Sequence, residues 1–238
     1  MKIDLFGIKF DNLTMEEAVE RIKGFVVLPY SEFVVRAQKN EEFRSILNQA
    51  DFCLCESRGL WLMAKLLGKK LNQEINGVEL IYKISQKSRQ FGGQAPVKSQ
   101  KLFLFGGTEN VVKKTAEILG ECVVGAENGY RDFDEIIEKI NQVQPDVLLV
   151  GLGSPKQEKF IAENLSKMPS VKLAIGVGGA FDFISGRVKR APKFTQKIYL
   201  EWLWRLIVQP QRINRIFKGV GGLICLTLGN MLNLKSKK

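Results

Sequence analysis

The chain has 238 residues, 45% hydrophobic and 26% charged, the balance of a globular protein long enough for one α/β domain and an extension. It contains no histidine, so Ser-His and Cys-His nucleophilic mechanisms and His-ligated metal sites are excluded. The net charge of +11 is unevenly placed: residues 1–186 carry 24 basic and 24 acidic side chains, whereas residues 187–238 carry 12 basic ones against Glu201 alone.

A basic block of this kind implies a polyanionic partner, such as an anionic membrane surface, a phosphorylated ligand or nucleic acid. The four cysteines, Cys53, Cys55, Cys122 and Cys225, form no Cys-x-x-Cys pair and read as reduced thiols of a cytosolic protein. Met1-Lys2-Ile3-Asp4 lacks the apolar core of a secretion signal.

Residues 3–10 predict a first strand. Thr14 then opens a helix, with Glu17 three residues on completing a capping box. A strand over 26–28, helix over 32–50 in one or two pieces, a strand over 52–55, and helices over 59–67 and 77–90 follow, the first of these stopping at Gly68. Residues 92–100 predict a polar loop. From Lys101 the alternation is regular: strands over 102–105, 122–125, 147–150 and 173–177, with helices over 109–119, 132–143 and after Pro155. Strands alternating with helices of this length predict a doubly wound, mostly parallel sheet.

The stretch PDVLLVGLGSPKQEKFI, 145–161, concentrates the chemistry. Four apolar residues bounded by turn signals fit a buried parallel strand. Ser154 reads as an N-cap and Pro155 as the first helical residue. Gly151 and Gly153 permit positive φ and close approach of a ligand, and the helix start offers free N–H groups to an anion. An ordinary βα turn has similar letters, so the other turns decide. Gly106-Gly107-Thr108, Gly125 to Gly129-Tyr130, and Gly176-Val177-Gly178-Gly179 follow the neighbouring strands, where doubly wound sheets bind their ligands. None is a Walker A loop or a full Gly-x-Gly-x-x-Gly fingerprint, which argues against a P-loop NTPase and a standard dinucleotide enzyme.

From Lys193 the pattern changes. Tyr199, Leu200, Trp202, Leu203, Leu206 and Ile207 form an apolar face beside Arg205, Pro210 breaks the helix, and Arg212, Arg215 and Lys218 follow at helical spacing. Residues 219–234 are almost wholly apolar but shorter than the roughly 20 residues of a membrane span. Together these read as an interfacial element lying on a membrane; the other reading is a C-terminal core helix with a solvated basic face. Nucleic acid is not the expected partner, because the basic segment is interleaved with an apolar run rather than exposed stacking aromatics. The division expected is an α/β core over 1–192 and a helical appendage over 193–238.

Three blocks, GLGSPKQEKFI, GVGGAFDFISGRVKRAPKF and LEWLWRLIVQPQRINR, resemble the signatures of the WecB/TagA/CpsF glycosyltransferases (glycosyltransferase family 26), and the similarity runs from Gly7 through Arg215. The resemblance implies a Rossmann-like fold with a C-terminal membrane-docking appendage. It also implies inverting transfer of a sugar, often N-acetylmannosamine, from a UDP-sugar to a polyprenyl-diphosphate-linked acceptor in teichoic acid or envelope polysaccharide synthesis. The location implied is cytoplasmic, peripheral at the inner membrane face, and a homo-oligomer is compatible with it. Carried over by position, Gly106, Gly107, Gly129, Tyr130, Gly153, Gln157, Glu158 and Asp182 fall on the donor side. Arg190, Arg205, Arg212 and Arg215 are expected to hold the acceptor's diphosphate, for which planar guanidinium forks are suited. Neither a metal nor a cofactor is implied if helix ends and arginines neutralise the leaving diphosphate.

The first half departs from the family pattern. The usual Thr-x-Asn-x-Glu is Leu28-Pro29-Tyr30-Ser31-Glu32, Glu56 stands where an Asp base is expected, and Glu74 replaces an Arg ahead of Asn76-Gly77-Val78-Glu79. Glu56 retains the proton affinity of a base. Its extra methylene moves the carboxylate by about 1 Å, a displacement that can cost on the order of 100-fold. The alternative reading is therefore a catalytically degenerate homologue that binds nucleotide-sugar or lipid-diphosphate as a partner subunit.

Overall fold

The computed structural model describes residues 1–87, 100–189 and 213–235. The chain begins with an antiparallel hairpin, β1 (Lys2–Leu5) and β2 (Ile8–Asp11), where one continuous strand was expected. The turn is made by Phe6 and Gly7, both at positive φ (58° and 80°), the pattern of a type I′ hairpin. Asp4 Oδ1 accepts the Gly7 N–H at 3.1 Å and closes it. The signal was in the alternation: Ile3 and Leu5 are buried, then the phase shifts to Ile8 and Phe10, and only a turn restores a single buried face.

The predicted capping box forms at α1 (Met15–Arg21), with Thr14 Oγ1 accepting the Glu17 N–H and Glu17 Oε2 accepting the Thr14 N–H. After β3 (Gly24–Val27) the expected helix is in two pieces, α2 (Ser31–Lys39) and α3 (Glu41–Gln49), because Asn40 leaves helical geometry and caps α3 through the Phe43 N–H. Then come β4 (Phe52–Cys53), α4 (Arg58–Leu66) and α5 (Gly77–Lys87). The regular half follows: β5 (Leu102–Gly106), α6 (Glu109–Leu119), β6 (Val123–Glu127), α7 (Phe133–Val143), β7 (Val147–Gly151), α8 (Lys156–Asn164), β8 (Leu173–Gly176) and α9 (Ala180–Ile184). The last described helix is α10 (Ile213–Lys235). The boundary expected at 192/193, and the polar loop expected over 92–100 except its last residue, lie outside the described residues.

The main sheet has six strands in the order β4-β3-β8-β7-β5-β6, every pairing parallel. Its central strands are buried on both sides, as a parallel sheet covered by two helical layers requires. Phe103, Phe105, Leu148 and Val150 face a core shared with α2, α3, α4, α7 and α8, where the Phe105, Phe133 and Phe160 rings meet at centroid distances of 4.7–6.1 Å. Leu102, Leu104, Val147 and Leu149 face the opposite core, built with α1, α5, α6 and α9. The helices after β5 and β7 therefore cover opposite faces, although these strands are neighbours. That divergence is a topological switch point, where the ends of the strands leave a crevice.

α10 packs along α2 and touches α4. A Cβ on Gly219 would meet Glu32 at 3.3 Å, and one on Gly222 would meet Val35 Cγ2 at 2.8 Å. Those paired contacts run in the same direction, so α10 starts at the carboxyl edge of the sheet and descends beside α2. Leu223 and Thr227 are buried in this contact.

Candidate active site

Because all six strands are parallel, every loop that follows a strand opens on the same edge. The donor-side turns expected from the sequence follow β5, β6, β7 and β8, and Glu56 follows β4. β4 and β5 are four strand spacings apart, about 19 Å at about 4.8 Å each.

The turns after β5 and β7 are tied together. Gly106 pairs with Gly151 in register, and the Gly107 N–H donates to the Gly151 carbonyl at 3.2 Å. A Cβ at Gly106 would overlap the Gly151 carbonyl, so this approach excludes a side chain. Gly129 joins them, its N–H donating to the Gly107 carbonyl at 2.9 Å. Beyond it Tyr130 projects into solvent, 83% exposed. Glu109, in the first turn of α6, has its carboxyl held below the usual range by hydrogen bonds from Lys113 and Asn128.

The turn after β7 departs from the expected capping. The Ser154–Pro155 peptide is cis, Pro155 occupies the cap position rather than the first helical one, and Ser154 caps nothing. Gln157, in the first turn of α8, turns its side chain back onto the loops instead. Its Oε1 accepts the Gly153 N–H at 3.1 Å and the Gly178 N–H at 2.9 Å, joining the turns after β7 and β8. Its Nε2 donates to Glu158 Oε1 at 2.6 Å. Both side chains are buried, Gln157 at 2% and Glu158 at 0% exposure. Burial pushes the Glu158 carboxyl up, while hydrogen bonding from Gln157 and Ser154 and the Arg36 charge pull the other way. The Ser154 hydroxyl approaches this carboxyl, whose Oε2 closes no regular hydrogen bond.

Asp182 lies in α9 and faces Arg187 at 3.4 Å. Arg36 is a residue that sequence reasoning missed. From α2 it reaches Glu32 Oε1 at 2.7 Å and Ser154 Oγ at 3.4 Å, and so crosses from the β3 side to the β7 turn. No local pattern signals that meeting, which joins positions 118 apart in the chain.

On the opposite side of the edge, the Glu56 N–H donates to the Pro29 carbonyl at 3.1 Å, and the Ile75 N–H to the Cys55 carbonyl at 2.7 Å. These bonds bring Leu28, Glu56 and Gly77 together. A Cβ on Gly77 would lie 2.8 Å from Glu56 Oε1 and 3.1 Å from Leu28 Cδ1, so the carboxylate rests on bare backbone at the start of α5. Glu74 receives a hydrogen bond from the Arg58 guanidinium, which pairs its charge. Tyr30 Oη donates to Glu32 Oε2 at 3.3 Å.

Arg190, Arg205 and Arg212 lie outside the described residues. Arg215 is placed only by its position in the first turn of α10, one turn ahead of the Gly219 contact with Glu32. Downstream, the outer face of α10 is apolar: Phe217, Ile224, Leu228 and Leu232 are exposed at helical spacing. Among the described residues, no helix is long and apolar enough to cross a membrane. No group of three or more His, Cys, Asp or Glu side chains among them is gathered to hold a metal ion.

A model of the glycosyl transferase WecG/TagA/CpsF family matches residues 3–237. A relative from Bacillus spizizenii, an N-acetylglucosaminyldiphosphoundecaprenol N-acetyl-beta-D-mannosaminyltransferase, is 34% identical over 205 residues, covering 83% of this chain and 77% of its own. A protein of the same name from Staphylococcus aureus is 30% identical over 231 residues, covering 90% and 88%. Since the match takes in both the glycine-lined sheet edge and the C-terminal helix, this chain belongs to the WecG/TagA/CpsF family of glycosyl transferases.

Proposed function

We infer that this chain transfers N-acetylmannosamine from its UDP-sugar to a polyprenyl-diphosphate-linked N-acetylglucosamine; the names of its relatives describe the N-acetylmannosaminyl transfer and the N-acetylglucosaminyldiphosphoundecaprenol acceptor for them. The observation that carries the reading is the shared edge: glycine turns follow β5 and β6 on one side of the switch point and β7 and β8 on the other, and Glu56 follows β4 farther along the same edge. A nucleotide-sugar laid across the β5, β7 and β8 ends would present its anomeric carbon toward the β3/β4 side. In this reading the α6 and α8 N-termini face the UDP diphosphate, Tyr130 and Gly129 border the nucleotide, and Asp182 stands at the far rim. Gln157 and Glu158 shape the cradle from beneath.

The chemistry then needs one base. Glu56 takes the proton from the acceptor hydroxyl as that oxygen attacks the anomeric carbon, and the bond to the UDP β-phosphate oxygen breaks on the opposite face, with inversion. The negative charge on the departing diphosphate is met by helix ends and guanidinium groups, without a metal. Arg190, Arg205, Arg212 and Arg215 hold the acceptor's diphosphate. The apolar outer face of α10 and the basic block seat the enzyme on the inner face of the cytoplasmic membrane. The Arg58–Glu74 pair supports activity, because it neutralises the carboxylate that replaces a cation in the family pattern.

The test is UDP release from UDP-N-acetylmannosamine with a short-chain polyprenyl-diphosphate N-acetylglucosamine acceptor. Wild-type turnover with a loss of roughly 100- to 10,000-fold in Glu56→Gln is the expected result. Tight UDP binding without turnover would instead assign the chain to the degenerate homologues. Absence of both would remove the donor reading.

A further inference from the structure

We propose that Glu158 is a positioning residue of the donor cradle: its carboxyl group holds the Gln157 amide in the orientation that ties the turns after β7 and β8 together. The link to UDP rests on the function proposed above; the link between the two turns does not.

The argument starts from the inventory of an amide. Gln157 Oε1 has two acceptor positions, and both are used, by Gly153 N–H at 3.1 Å and Gly178 N–H at 2.9 Å. If the amide turned over, its NH₂ group would face these two donors, and the bridge would open. The Nε2 end decides between the two orientations, and there the partner is Glu158 Oε1 at 2.6 Å, an acceptor-only oxygen when ionised. The pair lies over bare backbone at Gly176, where a Cβ would come within 2.9 Å of Gln157 Nε2 and 3.2 Å of Glu158 Oε1, so the arrangement needs glycine there.

Glu158 is a poor choice for folding alone. It is fully buried, and beyond the Gln157 amide its carboxyl has only the loose approach of the Ser154 hydroxyl and its own backbone N–H. A buried, half-satisfied carboxyl costs free energy that an apolar side chain of similar size would not. Its neighbours on α8, Phe160 and Ile161, fill the core with apolar groups. What Glu158 adds is the acceptor that fixes Gln157. The consequence is concerted: Gly153 and Gly178 lie in the turns after the neighbouring strands β7 and β8, so one amide sets the spacing of two turns.

The test uses the intact chain and reads amide hydrogen exchange at Gly153 and Gly178 without ligand, together with UDP affinity by calorimetry. In Glu158→Met, protection at both glycines is expected to fall at least tenfold while Leu149 and Ile175 in the strands keep theirs, and UDP affinity to fall roughly 10- to 100-fold. Glu158→Gln retains an acceptor for Gln157 Nε2 and should restore protection at both glycines. In a Gln157→Leu background, Glu158→Met should add no further loss, because the two side chains act as one unit. Unchanged protection in Glu158→Met, or additive losses in the double variant, overturns the proposal. Should Glu158→Met fail to fold, Glu158→Gln decides, and loss of protection at either glycine in that variant overturns the proposal. Wild-type protein that binds no UDP removes the donor reading, and the exchange data still decide the role of Glu158.

Discussion

Gly77 shows how a single missing side chain can place a carboxylate, here that of Glu56, the proposed base. Its backbone does not need glycine for conformation, since positive φ is found at other glycines and not here. It needs glycine for space: a methyl group would stand 2.8 Å from Glu56 Oε1 and press on Leu28. Gly77→Ala should therefore swing the Glu56 carboxylate away by about 1 Å, and a displacement of that size costs on the order of 100-fold in kcat. The donor KM should hold, and Tm should stay within about 3 °C, because alanine at a helix start is not itself unfavourable. Steady-state kinetics beside a thermal melt checks this; an unchanged kcat would remove Glu56 from the reacting hydroxyl. The positions of the candidate residues were legible, as glycines after strands and a carboxylate after β4. Their partners were not: Arg36 meets Ser154, and Gln157 meets Gly178, across 118 and 21 positions. Such meetings follow from the strand order β4-β3-β8-β7-β5-β6, which no local pattern encodes.

At the scale of elements, the regular half was readable because each signal is local. The predicted helix 109–119 coincides with α6, and Asp132 caps α7 through the Asp134 and Glu135 N–H groups. Two misreadings share a cause. The β1–β2 hairpin and the Pro155 cap both depend on backbone angles at one or two residues, Phe6-Gly7 and Ser154-Pro155, which composition does not fix. The contact of α10 with α2 is likewise visible only in three dimensions, where Gly219 and Gly222 let the helices approach and Leu223 enters the core. Gly222→Leu would drive its side chain into Val35, with an overpacking cost of about 1–3 kcal/mol. Hydrogen exchange along α10 should rise by about tenfold or more while β5 and β7 stay protected. Equal exchange in variant and wild type would show that the α10–α2 contact is not held by this close approach.

In the whole molecule, the sheet edge proposed to take the nucleotide stands beside the apolar α10 face proposed to lie on the membrane. α10 starts at the carboxyl edge and runs down beside α2, so a bilayer against its outer face would lie alongside the site opening rather than over it. Phe217, Ile224, Leu228 and Leu232 mark that face, and Cys225 is exposed among them. The other three thiols are buried, and burial pushes Cys55 up to about 12, so they do not compete for thiol reagents. Cys225 is thus a built-in reporter. One thiol per native chain should react quickly with a maleimide in buffer. On phosphatidylglycerol vesicles that rate should fall about tenfold or more, and raising the salt should restore it, because the basic C-terminal block supplies attraction that is screened beyond about 8 Å at physiological ionic strength. Neutral phosphatidylcholine vesicles should protect far less. Undiminished labelling of protein that fully co-sediments with anionic vesicles would move the membrane contact off α10 and onto another surface, and with it the direction from which a lipid-linked acceptor reaches Glu56.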